Sequence, residues 1–206
     1  MDLKIGDIIE FGHYAQKNCS ESNDKIEWIV LGKEGTSFLV ISRYALDCVR
    51  YNDNPGKVTW ETCSLRTWLN GEFINKAFTS DEQKIIETSA VPADRNPLSS
   101  MNPGKDTEDR VFLLSTKEVK KYLKTKKSKQ CRCTDHAVSC GAFTSDDGNG
   151  WWWLRSPGFE TDCAARVFND GEIDFIGGVV HGGDTAVRPA VRITPVSEHV
   201  TVISAG

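Results

Sequence analysis

The segment Trp151-Trp152-Trp153-Leu154-Arg155-Ser156-Pro157-Gly158 carries the strongest structural signal in the chain, and Val187-Arg188-Pro189-Ala190-Val191-Arg192-Ile193 is its counterpart. Both are apolar, and both set an arginine close to a proline. Between them, residues 159–186 contain no Lys, Gln, Met or Trp and hold five glycines. Aromatic and β-branched residues favour strands, and glycine pairs allow tight turns between them. The two flanks therefore read as a rigid frame and the contents as short strands and loops. Such loops carry recognition more often than stability.

Upstream, Ile5, Ile8, Ile9 and Phe11 suggest a first strand. Ile26, Trp28 and Val30 alternate, a turn over Gly32–Gly35 follows, and Phe38-Leu39-Val40-Ile41 makes a second run, so a β-hairpin is expected. Leu65, Trp68, Leu69 and Phe73 recur at helical spacing, with Gly71 placed to end or kink that helix. Thr79 with Glu82, and Ser115 with Glu118, have the spacing of capping boxes and predict two further helix starts. Residues 91–109 read as a long surface loop and 110–114 as a strand. Residues 128–150 read as irregular. Helices cluster in the middle and strands at the two ends, which argues an α+β fold with pairing terminal segments rather than a βαβ sheet.

Composition narrows the class. The chain has 206 residues, 26% charged and 39% hydrophobic, with a net charge of -4. This describes a soluble chain with one core, read as a single domain over 1–193 and a C-terminal strand or tail over 194–206. A net acidic domain gives no reason to expect nucleic acid. The basic run from Lys120 to Lys129 reads as a solvated helix end, where cations oppose the helix dipole. No apolar run is long enough to span a bilayer. The N-terminus lacks the layout of a signal peptide, and seven cysteines form no evident disulfide framework. A reducing, cytoplasmic setting is expected, with non-classical export or a place in a phage particle as alternatives.

Four separated segments carry a family resemblance: Ser42-Arg43-Tyr44-Ala45-Leu46-Asp47-Cys48, then Thr59-Trp60-Glu61-Thr62-Cys63-Ser64-Leu65-Arg66-Thr67-Trp68-Leu69-Asn70, then Trp153 to Gly158, then Val187 to Ala190. In this order they resemble the bacterial and phage family called domain of unknown function 6273, over about Ile5 to Ile193. That family is similar to the variable proteins of diversity-generating retroelements, which have a C-type-lectin-like fold. The resemblance implies paired terminal strands, two or three helices and an irregular half that displays binding residues. It also implies a variable region over Gly158 to Thr185, rewritten at asparagine codons. Such rewriting through the first two codon bases cannot yield Lys, Gln, Glu, Met or Trp. Of these, 159–186 contains only Glu160 and Glu172.

Several chemistries compete with recognition. Cys131, Cys133, His136 and Cys140 offer zinc-ligand atoms, but their spacing is not that of a finger or ribbon, so no metal is expected there. Cys163 and His181 would make a thiol–imidazole pair if they met, and the formylglycine-generating oxidases share the lectin-like fold, so a cysteine-dependent enzyme is the rival reading. A structural domain of a larger assembly is the third. Asp146, Asp147, Asp170, Glu172, Asp174 and Asp184 lack a calcium-loop pattern and read as turn formers. Arg155 and Arg188 are expected to lock the frame to carbonyls or to acids such as Glu61. Trp60 and Trp68 are expected in the core.

Side chains alternate along a strand, so Trp151, Trp152 and Trp153 cannot all face one way. The expectation is Trp152 in the core with its two neighbours opposite, or the reverse; equally open is a tryptophan flooring the binding surface. The leading reading is a non-enzymatic module that recognises a protein or other macromolecule, without a cofactor. Its expected contact residues are Phe159, Thr161, Asp162, Cys163, Arg166, Phe168, Asp174, Ile176, Val179, His181 and Asp184.

Overall fold

Alternating apolar residues make the hairpin the centre of the fold. In the computed structural model, which describes residues 2–18 and 22–204, β2 (Asp24–Glu34) and β3 (Ser37–Ser42) pair antiparallel around a turn at Gly35, whose φ is +61°. Ile26, Trp28, Val30, Val40 and Ile41 are fully buried on this pair. The strands run longer than the apolar runs alone suggest, because the register shift after Val30 lets pairing continue to Glu34.

β1 (Ile8–Tyr14) pairs with β2 on one side and with β11 (Thr201–Ser204) on the other. β10 (Ala190–Ile193) lies between β3 and the short β6 (Val111–Phe112). The sheet order is β11-β1-β2-β3-β10-β6, with every pairing antiparallel. The terminal segments pair, through β1 and β11. The first strand starts at Ile8 and meets 201–204, while β10 is enclosed by β3 and β6. Ile5 is exposed, ahead of the strand. The result is a mixed α/β architecture dominated by antiparallel strands.

A helical stretch covers one face of this sheet. α1 (Ser64–Trp68) passes through a π-helical turn (Leu69–Phe73) into α2 (Ile74–Ala77). Gly71 lies in the π turn and does not end the helix, since Ile74 N–H donates to the Leu69 carbonyl. Phe78 follows and packs on Phe11 at 4.9 Å and Trp28 at 6.1 Å between ring centroids. Both capping boxes form, at Thr79 for α3 (Ser80–Ile85) and at Ser115 for α4 (Thr116–Tyr122). The basic run is split between the last turn of α4 and α5 (Lys126–Lys129) and is largely solvent-facing.

Two regions read as irregular contain regular elements. The 91–109 loop is closed at its base by β4 (Ser89–Val91) paired with β5 (Thr107–Asp109). Within 128–150, α6 (Asp135–Ser139) is capped by the Thr134 hydroxyl, which accepts from Ala137 N–H. Among the described residues no helix is long and apolar enough to cross a membrane.

The tryptophan segment forms β7 (Trp152–Pro157), the inner strand of a second sheet continued by β8 (Cys163–Val167) and then β9 (Ile173–Val179). Every residue of β7 is buried, Trp152 and Trp153 completely. This corrects the expectation that neighbouring tryptophans take one wet and one dry side. The strand is sandwiched, so both of its faces are dry. The indole of Trp152 donates to the Lys129 carbonyl and that of Trp153 to the Val49 carbonyl, which satisfies the two buried N–H groups. Trp60 is core, its indole donating to Asp109 Oδ2 at 2.9 Å, but Trp68 is only half-buried against that core.

The frame arginines are buried. Arg155 donates to the Leu113 carbonyl at 2.8 Å and the Pro92 carbonyl at 3.2 Å and pairs with Glu118. Asp94 stands 3.7 Å from its guanidinium. Arg188 donates from Nε to the Ser42 carbonyl at 3.0 Å, and its guanidinium lies 4.9 Å from the Trp152 ring centre. Glu61 is not their partner: it pairs with Lys105. Burying guanidinium groups is costly without such partners; carbonyls, acids and an aromatic face supply most of them here, while Arg155 Nη2 and Arg188 Nη1 have no hydrogen-bond partner.

Candidate functional site

β8 (Cys163–Val167) and β9 (Ile173–Val179) extend outward from the buried β7. Burial falls away across the sheet, from complete in β7 to mostly partial or exposed in β9. A bulge interrupts β8–β9 pairing between Ala164 and Arg166, opposite Gly177 at φ +84°. A Cβ on Gly177 would sit 2.4 Å from the Ala164 carbonyl oxygen, so only glycine fits this kink.

The bulge divides the expected contact residues into two groups. The first surrounds Arg166. Its Nε donates to Asp174 Oδ2 at 3.1 Å and its Nη1 to Thr185 Oγ1 at 3.2 Å, with Asp184 Oδ1 3.9 Å away. The same guanidinium lies 4.4 Å from the Trp151 ring centre and 5.3 Å from that of Phe168. Trp151 stacks on Phe143 at 4.3 Å and meets Phe168 edge-on at 5.7 Å, while its indole donates to Asn169 Oδ1. Arg166 keeps 15% of its side chain exposed, so it organises this aromatic group from beneath. The acids on either side and the π faces together hold the charge in place.

The second group lies at the other end of the sheet. Phe159 N–H donates to the Ile176 carbonyl at 2.9 Å, and Cys163 is in register with Val179. Phe159, Ile176 and Val179 are exposed by 43%, 59% and 47%, large apolar side chains left to solvent. Thr161 and Asp162 are half-buried in the connection between β7 and β8, where their carbonyls accept from Val58 and Val180 N–H. Asn96, itself buried, spans the sheet above: its side-chain amide donates to the Pro157 carbonyl at 3.0 Å and the Phe175 carbonyl at 2.6 Å. His181 is exposed on the turn that Gly182 N–H closes to the Val179 carbonyl, and Asp184 is exposed beyond it. None of the eleven expected residues is buried.

Two parts of this surface lie outside the expected set. Phe143 comes from the segment after α6, where its N–H donates to the Asp184 carbonyl at 2.8 Å. Its only sequence signal is an isolated aromatic in a polar stretch. A cleft of about 500 Å³ adjoins Thr161 and Pro157, walled by Lys57, Val58, Glu61 and Met101. It forms where the 57–62 turn meets the 91–109 loop, a juxtaposition no local pattern announces.

The alternative chemistries meet a different geometry. The Cys163 thiol is raised by burial and by the neighbouring Asp162, whose Oδ1 lies 3.8 Å away; it faces an acid where an activated nucleophile faces a base. Burial pushes the Cys48, Cys63 and Cys133 thiols up to about 12. Cys131, Cys133, His136 and Cys140 do not converge as one ligand set, since Cys131 is buried toward the Arg43 carbonyl. The six described cysteines are free thiols, and Cys19 lies outside the described residues. Among the acids, Asp170 accepts from Glu172 N–H and Asp147 from Asn149 N–H, as turn formers do.

Compared with known proteins, residues 35–195 match the family model described as domain of unknown function (DUF6273). No curated protein and no solved structure matches the chain.

Proposed function

The chain belongs to the DUF6273 family, and on that premise we propose that it is a non-enzymatic recognition module whose ligand is a protein or other macromolecule. The observation that carries this reading is the contrast within one sheet. β7 is wholly buried and anchored by two arginines, while β9, at the sheet's other edge, leaves Ile176 and Val179 in solvent, its Ile176 carbonyl accepting from Phe159 N–H. Large apolar side chains grouped on a rigid support are what a contact surface requires. The aromatic group around Arg166 supplies a second set of anchors, bordered by the acids Asp174 and Asp184.

We read the architecture as C-type-lectin-like. The pairing of β1 with β11 and the separate three-stranded sheet support that reading. On the same reading, 158–185 is the variable region of a retroelement-diversified protein. Its support is compositional: apart from Glu160 and Glu172, its residues are ones that asparagine codons reach by first- and second-base change.

The test compares the chain with a Phe159→Ser/Ile176→Ser/Val179→Ser variant. Both are immobilised, exposed to host-cell extract and crosslinked, and captured proteins are identified by mass spectrometry. A partner held by the first and lost by the second is expected, with the two melting together. Identical capture by both would remove this surface from the function. The diversification claim has its own test in the genome: a nearby reverse transcriptase gene and an asparagine-codon-rich repeat of 158–185.

A further inference from the structure

Asp47, His136 and Cys140 bring one ligand atom each to within 4.8 Å of one another. His136 Nε2 lies 3.5 Å from Asp47 Oδ2 and 3.7 Å from Cys140 Sγ. Metal–ligand bonds of about 2.0–2.3 Å set tetrahedral ligand atoms about 3.3–3.8 Å apart, so both distances are tetrahedron edges.

The three residue types also suit a catalytic triad, and one atom decides between the two. A triad needs the acid on one ring nitrogen and the thiol on the other, so that the imidazole relays between them. Here both contacts fall on Nε2. Three donors pointing at one region of space, with no relay through the ring, is the arrangement that a shared ion explains. We propose that Asp47, His136 and Cys140 form a binding site for a divalent transition-metal ion of the zinc class, with one coordination position open to solvent.

The surroundings fit that assignment. A thiolate, a carboxylate and a neutral imidazole carry two negative charges, which a divalent ion balances. Their mixed softness suits zinc better than calcium or magnesium. Tyr14 is buried and steadies two of the three ligands. Its hydroxyl donates to Asp47 Oδ2 at 2.5 Å, and its ring meets that of His136 edge-on at 5.8 Å. Outer-shell bonds of this kind orient ligands before the ion arrives. Asp47 Oδ1 is held separately by Cys48 N–H at 2.7 Å, which fixes the carboxylate plane. His136 and Cys140 are four residues apart, at the end of α6, and so share one helical face. Cys140 is exposed, which leaves the entry path open.

An ion here would have a structural consequence. Residues 141–143 run directly from Cys140 to Phe143, which is bonded to Asp184 and stacked on Trp151. The site rests on its own distances and does not depend on the recognition reading, so either can fail alone.

The experiment uses the full chain, freed of metal with a chelator and titrated with Co(II) under reducing conditions. One equivalent is expected to bind, giving tetrahedral d–d absorption and a thiolate-to-cobalt charge-transfer band, both removed by one equivalent of Zn(II). Cys140→Ser is expected to abolish the charge-transfer band, while His199→Ala leaves the spectrum intact. Tyr14→Phe is expected to weaken binding by about tenfold or more through the lost outer-shell bond. A second measurement needs no variant: Zn(II) should protect Cys140 of the native chain from alkylation while Cys163 stays equally reactive. Absent cobalt binding, a thiolate band that survives Cys140→Ser, or unchanged alkylation of Cys140 would each overturn the proposal.

Discussion

The six-stranded and three-stranded sheets solve opposite problems with the same antiparallel pairing. In the larger sheet the hairpin β2–β3 and its neighbour β10 are enclosed by other strands, and their inward residues are fully buried. In the smaller sheet only β7 is enclosed, and each strand beyond it is wetter than the last. Burial of apolar area stabilises by about 25 cal/mol per Å², so the larger sheet and β7 hold most of the folding free energy. The outermost strand, β9, buries little, while β8 between it and β7 still buries Ala164, Ala165 and Val167.

Mutations spread across this gradient should break or sharpen the contrast. The largest loss is expected at Trp152→Ala, which empties a fully buried site and leaves the Lys129 carbonyl without its donor; about 3–5 kcal/mol of unfolding free energy should go. Chemical denaturation measures it, and a loss below about 1 kcal/mol would mean that β7 is not core. Asn70→Ala comes next. The Asn70 side chain accepts from Arg110 and Val111 N–H and donates to the Val111 carbonyl, stitching the π turn to β6. Removing it should cost about 1–3 kcal/mol.

Phe168→Ala should fall in between, at about 0.5–1.5 kcal/mol, because the ring meets Trp151 and the Arg166 guanidinium although it is only half-buried. Equality with the Trp152 loss would show that the Arg166 group is packing and not display. Ile176→Ala is the smallest, less than about 0.5 kcal/mol, since its side chain already lies in water. Amide exchange tests the same gradient without mutation. Residues of β3 and β10 should exchange only through global unfolding, whereas β9 and β11 exchange sooner through local opening. Uniform protection across all of them would erase the distinction.

What was legible in the sequence was local. Both capping boxes, the hairpin and the strand nature of the tryptophan segment follow from spacing and alternation. The features that were not legible depend on distant partners. Trp153 is dry because a second layer, Tyr51 among it, covers the face that alternation assigns to solvent. The 91–109 loop has turn composition throughout, yet its ends pair as β4 and β5. Of the two readings of 194–206, strand or tail, residues 201–204 take the strand, and only pairing with β1 decides it. Asp47 is a plain acid in the sequence, and nothing local reveals that α6 folds against it. Even Arg166, expected as a polar contact, is drawn under the surface by neighbours spread from Trp151 to Thr185, a span no short window contains.

Asn96 carries one more consequence. Its amide ties the Pro157 carbonyl to the Phe175 carbonyl, 61 and 79 residues further along the chain. The information that holds β7 and β9 at a fixed spacing is therefore stored outside the segment it governs. A chain built this way can exchange exposed side chains on β8, β9 and their loops without touching the bond that sets where those strands lie, because that bond is made to main-chain carbonyls.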